Sequence, residues 1–238
     1  MEITRTTLVA DLAASEPATI KVFQKNHIDF CCGGKIPLAD ACAREGVDLD
    51  DLVAELRAVS ASDDNAPADW QKAPLHTLIA HIQRRYHETL RAELPRLSQM
   101  LAKVVSRHGD RLPDTLLPLQ QTFEHLSDEM FDHMRKEDQV LFPAIVGLES
   151  STDTAGTPSI GIDGPIEMME HEHEQAGAAL ARIRELTRGY APPEDACPTF
   201  RGLYYGLAEL ESDMHVHVHL ENNILFPRAA RLTRQLTR

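Results

Sequence analysis

The chain has 238 residues, with 24 Lys and Arg against 37 Asp and Glu, which gives a formal charge of -13 at pH 7. This acidic balance excludes a broad electrostatic interface with nucleic acid or with an anionic membrane. No apolar run approaches the roughly 18 to 20 residues that span a bilayer. We therefore expect neither nucleic acid nor membrane among the partners.

The amino-terminal sequence MEITRTTLVADLAASEP lacks the basic start and the apolar core of a secretory signal. The expected location is therefore the cytoplasm. The four cysteines, Cys31, Cys32, Cys42 and Cys197, are too few and too unevenly spaced for a disulfide framework, so we expect thiols in that reducing compartment.

Residues 1–60 are predicted to form a small domain of short helices. Pro17 begins one helix, Pro37 begins another, and Asp48 caps a third. The polar stretch SASDDNAPADW that follows has no apolar period, which is typical of a linker. We place this linker at residues 61–72.

Two adjacent cysteines precede two glycines in the sequence FCCGG of residues 30–34. The glycines allow a close backbone approach or a positive φ, and they would leave the thiols accessible. An unstrained disulfide between neighbours is difficult to close, because the intervening peptide holds the side chains apart. Cys31 and Cys32 are therefore interpreted as a site for metal, nitrosyl or redox exchange, or else as small side chains buried in a turn. Cys42 and Cys197 are interpreted as incidental.

Four long helical patterns occupy residues 73–233, separated by loops rich in Pro and Gly. No segment in this part alternates like a strand. We therefore predict an all-α protein in which an antiparallel four-helix bundle follows the small helical domain.

The second and fourth of these helices contain the same motif, His-x3-Glu followed by Leu-Phe-Pro. His133 with Glu137 and His217 with Glu221 lie 84 residues apart in the chain. A His and a Glu four residues apart share one helix face, and a pseudo-twofold pair of helix hairpins would produce such a repeat. The Phe-Pro step is predicted to kink or end each helix after the motif.

The apolar period places these polar pairs in the core. Stripes with steps of three and four residues run from His76 to Leu101, Leu119 to Ala144, Ile166 to Ile183 and Leu203 to Ile224. The second stripe includes Val140 beyond the motif.

The stripes also select one inward histidine on each of the other two helices, His87 and His173. His171 precedes His217 by the same number of residues as His87 precedes His133, but His171 does not belong to the apolar stripe of its helix. We therefore select His173, which does belong to it. His215 and His219 flank His217 on other faces and are predicted to be exposed.

Unpaired carboxylates and imidazoles buried in this way would cost several kcal/mol each, and a metal ion is the partner that suits both. Two bridging glutamates would give each of two ions two imidazole nitrogens and two carboxylate oxygens. An oxo or hydroxo bridge would add a fifth ligand and leave a sixth position open. Ligands without thiolate suit Fe or Mn, with Zn as the competitor. The predicted metal ligands are His87, His133, Glu137, His173, His217 and Glu221.

The sequence resembles the family of di-iron proteins called repair of iron centres (RIC). The resemblance covers nearly the whole chain and is carried by Asp29 to Gly34, Arg85-Tyr86-His87, Glu172-His173-Glu174, and the two His-x3-Glu motifs, the second of which continues through Asn222-Asn223 to Phe226-Pro227-Arg228. That family joins an amino-terminal dicysteine domain of the ScdA type to a hemerythrin-like bundle. The resemblance implies two non-haem Fe ions with the four histidines as terminal ligands and the two glutamates as bridges beside an oxo or hydroxo group.

The resemblance also implies a role in nitrosative and oxidative stress, through nitric oxide binding and the repair of damaged iron-sulfur clusters. Iron donation and reduction of nitric oxide to nitrous oxide are both implied activities, so whether the protein is an enzyme stays open. The expected partners are nitric oxide or dioxygen and iron-sulfur client proteins. A homodimer is compatible with the sequence, although no patch requires one. The alternative is a non-catalytic buffer or sensor that lowers free nitric oxide or binds dioxygen.

Overall fold

Four short helices open the chain in the computed structural model, which describes residues 3–60, 69–150 and 161–236. They are α1 (Val9–Ser15), α2 (Ile20–Lys25, after a 3₁₀ turn at Pro17–Thr19), α3 (Leu38–Glu45) and α4 (Leu49–Ser60). Asp48 caps α4, because its Oδ1 accepts the backbone N–H groups of Asp50 and Asp51 at 2.9 and 3.1 Å. The sequence predicted α2, α3 and α4, whereas α1 was not predicted.

Four long helices follow, and three of them contain a π-helical turn. Their segments are α5 (Leu75–Ile82 and Glu88–His108), α6 (Pro113–Lys136 and Phe142–Ser150), α7 (Asp163–Leu186) and α8 (Pro198–Leu220 and Phe226–Leu236). The π-helical turns are Gln83–His87 in α5, Glu137–Leu141 in α6 and Glu221–Leu225 in α8. The described residues contain no strand, which confirms the all-α prediction. None of these helices, over the part of the chain described, is both long and apolar enough to cross a membrane.

The chain divides into two compact units. The middle unit comprises His81–Ala144 and Gly164–Met214, and the terminal unit comprises Met1–Ala80, Ile145–Asp163 and His215–Arg238. Four of the predicted ligands, namely His87, His133, Glu137 and His173, belong to the middle unit. The other two, His217 and Glu221, belong to the terminal unit together with the dicysteine sequence.

The middle unit is a four-helix bundle. α5 packs against α6 after a short connection, and His133 of α6 meets His173 of α7. α7 contacts α8 through Arg184 and Glu211, and α8 returns to α5 at Gly206. A methyl group at Gly206 would lie 2.6 Å from Cδ2 of Leu97, so this glycine allows the two helices to approach closely. Each helix therefore contacts two neighbours, as expected for the predicted bundle.

The predicted core stripes are confirmed over most of their length. The stripe residues from Leu90 to Leu101, Leu119 to Glu137, Ile166 to Ile183 and Leu203 to Ile224 are all buried. The prediction is wrong at His76 and Ala80, which are exposed, and at Val140, whose exposed fraction is 62%.

The π-helical turns explain these errors. A π turn holds an additional residue, so the helix beyond it is rotated by about 100° relative to a continuous α-helical phase. In α5 the residues buried before the turn are Leu75, Leu78, Ile79 and Ile82. In α6 the residues buried after the motif are Leu141, Phe142 and Ile145.

In the terminal unit, the short helices α1 to α4 surround one hydrophobic core. Phe23, Phe30, Leu38 and Leu56 are fully buried there, and Val216 of α8 packs against the same cluster. The amino-terminal helices therefore share a core with the segment of α8 that begins at His215.

Candidate metal centre

A buried carboxylate lies between two imidazoles in the middle unit. Oε2 of Glu137 is 3.4 Å from Nε2 of His87 and 3.2 Å from Nε2 of His133. Nε2 of His173 lies 3.0 Å from Nε2 of His133. All four side chains are buried, and they come from α5, α6 and α7. The structure therefore brings four of the predicted ligands together in this unit.

The other ring nitrogen of His87 faces a second carboxylate. Nδ1 of His87 lies 3.0 Å from Oδ1 of Asp138, which also accepts a hydrogen bond from Nε2 of Gln83 at 2.8 Å, and Oδ2 of Asp138 accepts a hydrogen bond from Arg91. Burial alone would raise the pKa of Asp138, but the hydrogen bonds from His87, Gln83 and Arg91 hold it well below its usual range. The ionised carboxylate therefore accepts the Nδ1–H of His87 and leaves a lone pair on Nε2.

His133 has an equivalent partner in Glu172. Nδ1 of His133 lies 2.9 Å from Oε2 of Glu172, and Lys136 donates to Oε1 of the same carboxylate. The hydrogen bond from His133, reinforced by Lys136, lowers the pKa of Glu172 to about 2. The Nδ1–H of His133 is therefore donated to Glu172, and Nε2 again presents a lone pair to Glu137.

This donor set fits a metal ion. When two imidazole nitrogens direct their lone pairs at one carboxylate oxygen, the nitrogens and the oxygen repel one another unless a cation lies among them. Donors at about 2.1 Å from a shared ion stand about 3.0 Å apart at right angles and about 3.4 Å apart at tetrahedral angles. The measured separations of 3.0, 3.2 and 3.4 Å match this range.

The terminal unit contains the second copy of the motif. Nε2 of His217 lies 3.0 Å from Oε1 of Glu221, and both side chains are fully buried. The equivalent distance from His133 to Glu137 is 3.2 Å. The sequence repeat therefore corresponds to a repeated local geometry, with a buried imidazole nitrogen and carboxylate oxygen in each copy.

Each motif glutamate opens a π-helical turn. The N–H of Phe142 bonds the carbonyl of Glu137, and the N–H of Phe226 bonds the carbonyl of Glu221, five residues back in both cases. The proline that follows has no N–H to continue an α-helical ladder. The sequence predicted either a kink or a helix end at Phe-Pro, and of these two the end is wrong, because α6 and α8 continue to Ser150 and Leu236.

The third π turn ends at His87, so all three π turns of the described helices contain a predicted ligand. Such turns occur often at functional sites. Sequence reasoning missed them. The repeated Phe-Pro step was a signal for the turns in α6 and α8, whereas Glu88 follows the turn in α5 and gives no comparable signal.

The exposure predicted for the remaining histidines near the motifs is confirmed for one of them and wrong for two. His171 is 66% exposed, which confirms that it points away from the core. The prediction that His219 and His215 are exposed is wrong, because His219 is buried and His215 is half-buried. The ring of Phe30 packs 5.5 Å from His219 and 6.2 Å from His215. Sequence periodicity could not reveal this contact, because Phe30 is 189 residues from His219.

The dicysteine turn, Asp29 to Gly34, is hydrogen-bonded to α8. Nδ2 of Asn223 donates to the carbonyls of Phe30 and Cys31 at 3.1 Å each, and Nδ1 of His219 donates to Phe30 at 3.2 Å. Burial lowers the pKa of His219 to about 4, although the carbonyls of Phe30 and Ala13 act in the opposite direction. The turn is thus attached to the helix on both sides of Glu221.

Within this turn the two thiols differ in exposure. Cys31 is buried, which corrects the prediction that both thiols are accessible, and Cys32 is half-buried. A hydrogen bond with Cys32, together with burial, raises the pKa of Cys31 well above its usual range. A Cβ on Gly34 would lie 2.8 Å from the carbonyl oxygen of Phe30, so this glycine is required for close approach rather than for positive φ.

Comparison with known families matches both parts of the chain. Residues 78–229 match the hemerythrin HHE cation binding domain. Residues 5–60 match ScdA_N, which is described as a domain of unknown function. The first match includes all six predicted ligands, and the second includes the dicysteine turn.

Several curated proteins are similar over almost the full chain, and each is named iron-sulfur cluster repair protein YtfE. The protein of Pectobacterium atrosepticum is 40% identical over 223 residues, which is 94% of this chain and 96% of the relative. The protein of Yersinia pseudotuberculosis is 41% identical over 221 residues, covering 92% and 95%. The protein of Dickeya chrysanthemi is 40% identical over 223 residues, covering 94% and 96%.

Proposed function

This chain belongs to the family of YtfE-type iron-sulfur cluster repair proteins, with hemerythrin HHE and ScdA_N domains, and from that premise we propose that it is a non-haem di-iron protein that binds nitric oxide and supports the repair of damaged iron-sulfur clusters. The observation that carries the proposal is the buried carboxylate of Glu137, which faces Nε2 of His87 and of His133. Each of these imidazoles has its other nitrogen fixed by a separate carboxylate. An arrangement of this kind suits a cation.

We propose that His87, His133, His173 and His217 are terminal ligands and that Glu137 and Glu221 bridge two iron ions. The match to a cation-binding domain across all six residues supports this set, as does the similar His to Glu distance in the two motifs. Six protein groups on two ions leave coordination positions for small molecules. When bound, the iron pair supplies redox electrons and these open positions to a diatomic such as nitric oxide.

The chain's own residues prepare the site for this chemistry. Asp138 and Glu172 hold the protons of His87 and His133 at Nδ1, so the Nε2 atoms stay available as donors. The ring of Phe142 stacks on the imidazole of His87 at a centroid distance of 5.6 Å and an interplanar angle of 16°. This contact restricts the rotation of the imidazole and excludes water from one of its faces.

We also propose that the protein is cytoplasmic and that its clients are iron-sulfur proteins. We propose the same domain boundaries as the sequence predicts, with domains at residues 1–60 and 73–233 and a linker at 61–72. Residues 61–68 of this linker lie outside the described residues.

Iron content tests the ligand assignment. The purified protein should contain close to two irons per chain, and the double variant Glu137→Ala with Glu221→Ala should lose them. The matched control is Glu124→Ala with Glu209→Ala, because these two glutamates are exposed on the same two helices. Iron retained in the first double variant would show that the assignment is wrong.

Nitric oxide turnover separates the two candidate functions. Production of nitrous oxide by the reduced protein over more than one turnover supports a catalytic role. Reversible binding without nitrous oxide supports the buffer instead. A third assay adds the iron-loaded protein to a client enzyme with a damaged cluster, and recovery of the client's activity is the result expected for repair. The proposal of cluster repair is overturned if the client recovers equally with free iron alone.

A further inference from the structure

The π turns of α6 and α8 share a sequence motif but differ in their surroundings. Gln139 and Asn223 are 84 residues apart and occupy equivalent positions, each two residues after the motif glutamate. Gln139 is exposed, whereas Asn223 is half-buried. The next residues differ more, because Val140 is 62% exposed and Ile224 is 3% exposed. The π turn of α8 is therefore packed against other elements on the side at which the π turn of α6 is exposed.

Amino-terminal residues of the terminal unit cover this side of the α8 turn. Nδ2 of Asn223 donates to the carbonyls of Phe30 and Cys31 at 3.1 Å each, and helix α1 contacts the same π turn. Asn223 therefore joins the π turn that begins at Glu221 to the dicysteine turn.

Both peptide units that flank Cys31 are held at their two ends. Their carbonyls, which belong to Phe30 and Cys31, accept the hydrogen bonds from Asn223. Their N–H groups, which belong to Cys31 and Cys32, donate to Oδ1 of Asp29 at 2.9 and 3.1 Å. A rotation of either peptide unit would break the bond to Asn223. The backbone that carries the two thiols and the side chain of Asn223 therefore move together.

The position of Asn223 is also linked to that of Glu221, because both lie in one π turn. The N–H of Phe226 bonds the carbonyl of Glu221, five residues back, and closes this turn. A change to α-helical geometry would alter the helical phase by up to about 100° across the turn and would carry the amide away from the two carbonyls. The hydrogen bonds of Asn223 therefore favour the π geometry, in which Glu221 is buried beside His217.

We propose that Asn223 is a positioning residue of the iron centre and that it couples the dicysteine turn to the carboxylate of Glu221. This inference rests on the proposed function, because it takes Glu221 as an iron ligand. When Glu221 is held by iron, Asn223 and the backbone of the dicysteine turn are held as well. By thermodynamic reciprocity, a dicysteine turn that is held by Asn223 raises the affinity for iron. The coupling requires no contact between the thiols and the metal.

Competition with a ferrous chelator tests this coupling in the full-length protein. Asn223→Ala and the isosteric Asn223→Leu remove the amide donor, and each should weaken iron binding about tenfold. Gln139→Ala, at the equivalent exposed position of α6, is the matched control and should bind iron as the wild type does. Circular dichroism establishes that each variant is folded. Alanine favours a helix more than asparagine does, so a weaker helix would not account for the loss. Wild-type affinity in both Asn223 variants overturns the proposal.

The reactivity of the thiols separates positioning from a general effect on stability. Alkylation of half-buried Cys32 by iodoacetamide, quantified by mass spectrometry, should be about threefold slower in the iron-loaded than in the iron-free wild type. Cys197, which is half-buried in the loop before α8, is the internal control and should react at the same rate in both forms. The effect of iron on Cys32 should be lost in Asn223→Ala and retained in Gln139→Ala.

The outcomes distinguish this inference from the proposed function on which it rests. If the wild type binds iron but Cys32 reacts equally with and without it, the coupling is overturned and the proposed iron centre stands. The coupling is also overturned if Asn223→Ala retains the effect of iron on Cys32. A wild type that binds no iron overturns the proposed function and this inference together.

Discussion

The carboxylates behind the histidines decide which ring nitrogen faces Glu137. Asp138 is held by Gln83 and Arg91 as well as by His87, so its position does not depend on the imidazole that it orients. A ligating histidine whose second nitrogen is fixed in this way loses little rotational freedom when a metal binds. The affinity for iron should therefore depend on Asp138, although Asp138 is not a proposed ligand.

Replacing Asp138 by Asn tests this dependence. The amide lacks the charge that stabilises the Nδ1–H tautomer of His87, so the affinity for iron should fall about 10- to 100-fold while the fold is retained. Competition of the protein with a ferrous chelator measures the change, and circular dichroism monitors folding. Asp132→Asn, at an exposed carboxylate of the same helix, is the control and should bind iron as the wild type does. Equal affinities in the two variants would contradict the role of Asp138.

Sequence periodicity selected the six proposed ligands, but it did not select these supporting carboxylates. Asp138 and Glu172 each stand next to a proposed ligand in the chain, so they lie off the inward stripe. The histidines that they orient are 51 and 39 residues away. Such contacts depend on the rotation of one helix against another, and no local pattern records that rotation.

The π-helical turns connect helix geometry to the proposed ligands. Each turn changes the helical phase beside a ligand, so one α-helical period could not describe both ends of α5 or α6. The sequence predicted the helices of the middle unit correctly, and it predicted their buried faces correctly over the segments in which no π turn interrupts the α-helical period. It failed at Val140, which lies inside the π turn of α6, and at His76, which lies across the π turn of α5 from the buried part of its stripe.

Pro227→Ala should separate iron binding from stability. Alanine restores an N–H that can bond the carbonyl of Asn223, which favours an α turn in place of the π turn and displaces Glu221. We expect the affinity for iron to fall about tenfold or more, while the free energy of unfolding of the iron-free protein stays the same or rises, since alanine is about 3 kcal/mol more favourable than proline inside a helix. Pro118→Ala is the matched control, because Pro118 lies inside an α-helical segment without a π turn. It should stabilise the protein without changing iron affinity, as measured by denaturant unfolding and chelator competition.

At the scale of the whole molecule, the amino-terminal helices and the end of α8 fold around one core in the terminal unit. Phe30 belongs to that core and its carbonyl accepts hydrogen bonds from His219 and Asn223, so the segment that contains Glu221 is anchored on both sides. The sequence predicted a separate small domain, and its all-α character is confirmed. The attachment to α8 could not be predicted, because the contacting residues are about 190 positions apart and neither segment has a charge pattern that identifies the other.

Metal removal should show how strongly the proposed centre contributes to stability. Iron binds the folded state and not the unfolded chain, so each iron at 100 times its dissociation constant should add about 2.7 kcal/mol and raise the Tm by about 5–10 °C. Buried carboxylates without a cation destabilise the folded state of the iron-free protein. In Glu137→Gln with Glu221→Gln the amides remove the buried charge. This iron-free variant should melt above the iron-free wild type, and iron should not raise its Tm. Calorimetry of the four samples measures both effects. A variant that melts below the iron-free wild type and is still stabilised by iron would contradict a centre that depends on these two carboxylates.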